Sequence, residues 1–359
     1  MDFANTPYAQ AFSANIALSI DGAAQILRAY PKSAGAFLRI AGQLPRAQVT
    51  RNCYAEQGLG VPPLMIVSTT NLCNLSCAGC YASAQIRQDA PMLTKERIEG
   101  ILEEAAALGV SITMLAGGEP LLAQDWLDAL GQQKTMAGIV FTNGTLMDEE
   151  RLSWFGAHRH VLPAISLEGD ARQTDARRGS GVYAAVQEAM GNLAQRGIPF
   201  GVSVTVTTQN IDEVLSDGFI TQLMGQGCRF FVHVEYVPVA HDTRQLVLLS
   251  AQKKRLVDFT RQAAKRHAAL FIPFPGDEGE YGGCLAAGRG FIHISAAGDV
   301  EACPFAPFSD TNLGNATLES ALRSALLKKI RDNHHLLKEG EGGCALWNNI
   351  GFIEKLKEG

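Results

Sequence analysis

From Leu64 onward the sequence alternates short apolar runs with amphipathic stretches of helical length, and this alternation limits the fold more than any other feature. The run 64–69 (LMIVST) has the pattern of a buried strand. After a loop comes a helix opened by Thr94 as N-cap and striped with Ile98, Ile101, Leu102 and Ala105. Further strands are expected at 111–116, 139–142, 162–167, 201–207 and 230–237, with helices around 126–132, 149–155, 182–196, 214–226 and 252–267. Six strand-then-helix units imply a parallel sheet, because each helix returns the chain to the same sheet edge. Periodicity leaves two α/β architectures open, a doubly wound sheet and an open partial barrel. In both, chemistry belongs at the carboxyl ends of the strands.

The flanks read differently. The first sixty residues suggest helices rich in Ala and Leu, broken near Pro31 and Pro45, with no visible chemistry. After Pro275 the chain turns to glycine, cysteine, a short strand at 291–294 and a helix near 318–330. That reads as a separate small unit, too short for a large core and held by a metal at its three cysteines. The expected division is therefore 1–60, 61–270 and 271–359, within the domain count that 359 residues allow.

Composition removes several function classes. A formal charge of -5 leaves no footprint for nucleic acid. Charged residues at 19% and 36 glycines speak against disorder and coiled coil and for tight turns. The charge-free stretch from Phe3 to Ile20 is too interrupted by polar residues to span a membrane, and it lacks the basic start of an export signal. The expected compartment is the reducing cytoplasm, where clustered cysteines serve metal or catalysis.

Six of the eight cysteines fall into two sets. Cys73, Cys77 and Cys80 form C-x3-C-x2-C in TTNLCNLSCAGCYAS, on the loop after the first strand. Three thiolates within eight residues can wrap a compact inorganic centre. Iron–sulfur clusters usually take four cysteines, so three leave one iron open to a ligand. Zinc is the rival, although the x3 spacing fits its usual knuckles poorly. Cys284, Cys303 and Cys344 form the second set, with eighteen and forty residues between them. A structural zinc site or unligated thiols are its alternatives. Cys228 reads as a small buried hydrophobe and Cys53 as a bystander.

The cysteine cluster is followed by GGEP at 117–120, TNG at 142–144, SLEG at 166–169 and TDARRG at 174–179, the first three each ending an expected strand. Together these resemble the radical S-adenosylmethionine (SAM) superfamily, from about residue 62 through the C-terminal cysteines. The resemblance implies a partial (β/α)6 TIM-type barrel. Cys73, Cys77 and Cys80 would bind a [4Fe–4S] cluster whose fourth iron is chelated by SAM. Reductive cleavage would then give a 5′-deoxyadenosyl radical that abstracts hydrogen from substrate. It further implies SAM contacts from Gly117, Gly118, Glu119, Asn143, Ser166 and Arg178, with Arg178 pairing the SAM carboxylate. Glu119 could equally cap the helix after Pro120. Asp175 and Arg177 read as scaffold or surface.

The passages GGCLAAGRGFIHISAAGDVEACPF and GGCALW resemble a SPASM/twitch extension, implying an auxiliary cluster on Cys284, Cys303 and Cys344. His293, Asp299, His334, His335, water or the substrate itself are candidates for its fourth ligand. Reduced flavodoxin or ferredoxin would donate electrons, and the substrate would be a peptide or a small-molecule precursor of a cofactor or lipid. Two departures stand out: Gly79 and Thr174 occupy positions where the family carries an aromatic residue and a histidine. Tyr81 could supply the missing ring. On the sixth strand Phe231, His233 and Glu235 share a face that could line the substrate cavity or hold a satisfied polar pair. GSGVYA at 179–184 follows arginines instead of a strand and is no dinucleotide loop. The rival function is a non-catalytic zinc- or iron-binding scaffold.

Overall fold

Strands β1 (Leu64–Ser68), β2 (Ile112–Ala116), β3 (Ala137–Thr142), β4 (Val161–Leu167), β5 (Gly201–Val206), β6 (Phe230–Glu235) and β7 (Leu270–Phe274) lie side by side in sequence order, all parallel. The structure is a computed structural model that describes residues 26–85, 92–239, 242–274, 283–337 and 344–358. The Phe3–Ile20 stretch lies outside the described residues, among which no helix is long and apolar enough to cross a membrane. A doubly wound sheet reverses its strand order at a switch point. Here β1 to β7 follow one another without reversal, and Ile66, Met114, Phe141, Ser166, Ser203, Val232 and Ile272, one from each strand, face a common cavity, so these seven strands curl as a partial barrel.

All six expected strands form. The seventh, LFIPF, was missed because it is short and interrupted by Pro273; pairing along β6 secures it. A helix at Ala171–Arg178 was also missed, its N-cap Asp170 accepting from the Gln173 N–H at 2.8 Å. The helix expected at 214–226 is split, because Ser216 caps a new start at Asp217. The Thr94 cap holds as read, and Ile98, Ile101, Leu102 and Ala105 are all buried. Fully burying a side chain such as Ile101 or Leu102 is worth about 1.5–3 kcal/mol.

Strand alternation divides the sheet into two faces. Outward-facing Met65, Val67, Leu115, Val140, Ile165, Val202 and Val204 pack under the helices. Inward-facing Ile139, Phe141, Leu162, Ala164, Val232, Val234 and Ile272 make a smaller cluster in the barrel.

The flanks depart from expectation. Helix Ala34–Glu56 runs through Pro45 unbroken. Proline removes one backbone hydrogen bond, and Arg51 anchors the following turn to the Gly109 carbonyl and to Ser111 Oγ. This helix therefore sits at the amino ends of the strands, away from the loops that carry chemistry.

The C-terminal segment is not set apart from the barrel. Strand β8 (Phe291–Ile294) extends the sheet beyond β1 in parallel, and β9 (Val300–Glu301) follows antiparallel. Its apolar residues join the barrel's outer core. Arg97 and Glu104 of helix Lys95–Leu108 fasten it further, through Leu313, Ala316 and Leu318 backbone groups. A strand that completes a neighbour's sheet needs no large core of its own, which is why the short tail folds here.

Candidate active site

The cysteine loop lies on the carboxyl end of β2. The Gly118 N–H donates to Thr70 O and the Glu119 N–H to Leu72 O, both at 2.8 Å. A β-carbon on Gly118 would stand 2.0 Å from the Leu72 carbonyl oxygen. The absent side chain thus first makes room for the loop itself. On its other flank the loop exchanges two bonds with helix Ala171–Arg178: Ala78 N–H to Arg177 O at 2.8 Å, and Arg177 Nε to Ala78 O at 3.2 Å. Asn143, at the end of β3, donates from Nδ2 to Asn74 Oδ1 at 2.8 Å and stands 4.0 Å from Cys73 Sγ.

So held, Cys73, Cys77 and Cys80 line two adjoining cavities of about 400 and 210 Å³. Cys73 is exposed and the other two are half-buried. Burial raises the Cys77 thiol pKa, while the Arg178 and Arg177 charges pull it back. Burial likewise pushes up Cys73. No three His, Cys, Asp or Glu side chains among the described residues group as a single ion would require. Three thiols spread around a cavity suit a larger, polynuclear centre, with space left for a ligand. Three thiols from one loop, with cavity space beside them for a further ligand, fit the iron–sulfur reading.

The residues expected to touch SAM gather at the smaller cavity, whose wall includes Gly117, Gly118, Glu119, Asn143, Ser166 and Arg178. Glu119 is already occupied. Its Oε1 accepts from Leu121 N–H at 3.1 Å and Thr142 Oγ1 at 2.7 Å, and its Oε2 from Asn143 N–H at 2.8 Å. Burial raises its pKa against those bonds. The carboxylate caps the turn after Pro120 and ties the ends of β2 and β3 together.

Arg178 is shared with a residue the sequence reading passed over. Glu168 Oε1 receives Arg178 Nε at 2.8 Å and Arg177 Nη1 at 2.5 Å, with Glu168 2% exposed. Sequence offered a signal, since Glu168 sits inside the quoted SLEG, but nothing marked it as the partner of both arginines.

The larger cavity brings in the C-terminal segment. Register sets His293 opposite Ile66 and Glu301 opposite His293, so both share the inner face with Ser68. Ser68 Oγ lies 2.8 Å from His293 Nε2, and His293 Nδ1 lies 2.8 Å from Glu301 Oε2. A carboxylate at Nδ1 keeps the proton there and leaves Nε2 to accept from the serine hydroxyl. Such a chain can carry a proton between cavity and imidazole. Both ring nitrogens being engaged, His293 is not placed to serve as a cluster ligand.

The other expectations separate cleanly. Val232 and Val234 face the barrel, whereas Phe231 and His233 point outward, stacked beside Phe271. The shared face was read correctly but its direction was not, because alternation alone cannot tell inside from outside when both faces are buried. Glu235, at the strand end, pairs with Lys253 at 2.5 Å. Cys284, Cys303 and Cys344 are all buried in the C-terminal segment. Tyr81 stands between the two cysteine sets: its phenol feels both Cys80 and Cys303, and its ring meets Phe305 edge-on at 5.2 Å. Cys228 is fully buried, its thiol pushed up to about 12 by burial.

A parallel partial barrel with three cysteines on the loop after its first strand, and an arginine on the wall of the cavity they line, is an α/β scaffold with a thiol-lined site at its mouth. Residues 67–217 match the Radical SAM superfamily. The chain is 30% identical over 302 residues to mycofactocin maturase MftC of Mycobacterium ulcerans, covering 77% of this chain and 79% of that one. It is 24% identical over 316 residues to the AdoMet-dependent heme synthase of Methanosarcina barkeri, covering 79% and 88%. Among solved structures, Streptococcus suis SuiB bound to precursor peptide SuiA superposes with a TM-score of 0.65 at 18% identity, covering 86% of this chain and 77% of that one. The chain belongs to the radical SAM superfamily.

Proposed function

We propose that this enzyme cleaves SAM reductively and uses the resulting radical to abstract hydrogen from a peptide substrate. The observation that carries the reading is the cysteine loop itself: three thiols on one loop, opening onto a cavity walled by Arg178, Ser166 and Asn143. When bound, a [4Fe–4S] cluster and SAM supply the electron and the 5′-deoxyadenosyl radical. The protein's part is to hold and shield them. Cys73, Cys77 and Cys80 ligate the cluster. Arg178, steadied by Glu168, offers its remaining donors to the SAM carboxylate, and Ser166 adds a hydroxyl at the end of β4.

The substrate enters the larger cavity, between the barrel mouth and the C-terminal segment. Ser68, His293 and Glu301 stand on its wall as the group able to take up a substrate proton. The maturase relative and the peptide-bound neighbour favour a peptide; the heme synthase relative keeps a small-molecule precursor as the second reading. Cys284, Cys303 and Cys344 are assigned to an auxiliary cluster in a twitch-like extension comprising residues 271–359. Reduced flavodoxin or ferredoxin is the electron donor in a cytoplasmic setting.

Anaerobically reconstituted protein, given dithionite and SAM, should release 5′-deoxyadenosine. A fully iron-loaded protein that yields none would overturn the reading. Recovery of a short peptide bound to the protein from its own cells would favour the first substrate class over the second.

A further inference from the structure

Tyr236 is a large side chain with an unexplained end. It follows β6 directly, its N–H bonded to Val206 O at 3.1 Å, and alternation with inward-facing Val232 and Val234 puts its side chain on the barrel's inner side, on the wall of the smaller cavity. The residue is 2% exposed, and its hydroxyl is buried without a hydrogen-bond partner. Buried phenol hydroxyls are normally paired, so one without a partner on a residue that lines a cavity points to a ligand there. That cavity is the smaller one, shared with Cys77, Cys80, Ser166 and Arg178.

The ring has a socket. A β-carbon built on Gly79 would lie 2.4 Å from the Tyr236 hydroxyl oxygen and 3.1 Å from Cζ. Gly79 also has φ +66°, a conformation that side chains resist. Glycine between Cys77 and Cys80 and tyrosine after β6 are therefore one feature. Tyr236 fills from across the barrel the space that a side chain at 79 would take.

We propose that Tyr236 is a SAM-binding residue of this enzyme, with Gly79 as its socket. The ring walls the cavity beside the Cys77–Cys80 turn, and the hydroxyl pairs with the nucleoside of SAM. Ring nitrogens and ribose hydroxyls offer both the acceptors and the donors that a phenol can use. The assignment rests on the proposed binding of SAM in this cavity. It accounts for the absence of a local ring at position 79 without calling on Tyr81, whose ring is committed to Phe305.

The test is the affinity of cluster-loaded, unreduced protein for radiolabelled SAM, measured by equilibrium dialysis, with tyrosine difference absorbance as a second readout. Tyr236→Phe, which keeps the ring, should bind SAM about tenfold more weakly, the loss of one well-formed hydrogen bond. The wild type should show a tyrosine perturbation on SAM addition that Tyr236→Phe lacks. Gly79→Ala should weaken binding too, and its effect should shrink in a Tyr236→Ala background, where the clash with the phenol is gone and only the backbone strain at φ +66° is left. Iron content and thermal melts identify a variant that fails to fold; if Gly79→Ala does, the near-isosteric Tyr236→Phe decides alone. Equal SAM affinity and an equal difference spectrum for wild type and Tyr236→Phe would overturn the assignment. Failure of the iron-loaded wild type to bind SAM would instead overturn the proposed function.

Discussion

The two cysteine sets occupy opposite environments. On the loop after β1, Cys73 is exposed and Cys77 and Cys80 are half-buried, and the loop is pinned from outside by Arg177, Asn143 and the Gly118–Glu119 backbone. In the C-terminal segment Cys284, Cys303 and Cys344 are buried at 4–5% exposure within the main core. An open set held by polar contacts keeps room for an exchangeable ligand. A closed set is part of the packing, whatever else it binds. Removing a thiol should therefore do different things in the two places.

The largest expected effect breaks the comparison at its strong end. Cys77→Ala should abolish 5′-deoxyadenosine release and the loop's iron while leaving the melting temperature nearly unchanged. Cys303→Ala should cost about 1–2 kcal/mol of stability, as loss of a well-packed buried atom does. If the tail holds a cluster, it should also remove about four irons per chain. Iron and sulfide counting beside thermal melts reads both. A Cys303→Ala protein as stable and as iron-rich as wild type would erase the distinction.

Next comes the pin that holds the open loop. Glu168 bridges two arginines that are themselves only 17% and 11% exposed in their side chains. Glu168→Gln leaves two partly buried guanidinium groups facing a neutral amide and should cost about 3 kcal/mol, in the range for breaking a buried pair. The exposed Glu149–Arg196 pair is the control, with Glu149 76% exposed. Its Glu149→Gln change should cost under about 0.5 kcal/mol. Denaturant unfolding measures both, and proteolysis of the cysteine loop should quicken only in the first. Equal costs would mean that the loop is not held by this bridge.

What could be read in advance follows the same division. The parallel order, the cysteine loop at a strand's carboxyl end and the helix cap at Thr94 were legible, because each rests on residues close together in the chain. Glu168 with its two arginines was half legible: the residues were in view, the pairing was not. The Gly79–Tyr236 socket, the Ser68–His293–Glu301 chain and the docking of β8 on β1 join residues 157 to 233 positions apart, and no local pattern announces them. Pro45 and Pro273 misled for a related reason. Proline weakens an element locally, and tertiary contacts from Arg51 and from β6 outweigh it.

The smallest effect concerns two buried histidines, one in each kind of surrounding. His293, at the tail's inner face, has a partner at each ring nitrogen. His233, under the helices, lies in an aromatic stack with Phe231 and Phe271, with the Val214 backbone as its polar neighbour. Burial there lowers its pKa from 6.5 to about 4. The unfolded chain consequently binds a proton that the folded chain refuses, and stability from this residue is whole above about pH 6.5 and declines as pH falls toward 4. The loss should be about 2 kcal/mol near pH 5, from a 1.36 kcal/mol cost per pKa unit. His233→Phe should flatten that part of the stability curve relative to wild type, read by denaturant unfolding between about pH 7 and 5. His293→Gln should leave the slope due to His233 in place while lowering stability at every pH, because it disturbs the hydrogen bond to buried Glu301. If His233→Phe keeps the full acid slope, the outer-face histidine is not the group that refuses the proton, and the carboxylates gathered at the barrel mouth become the source of the acid sensitivity.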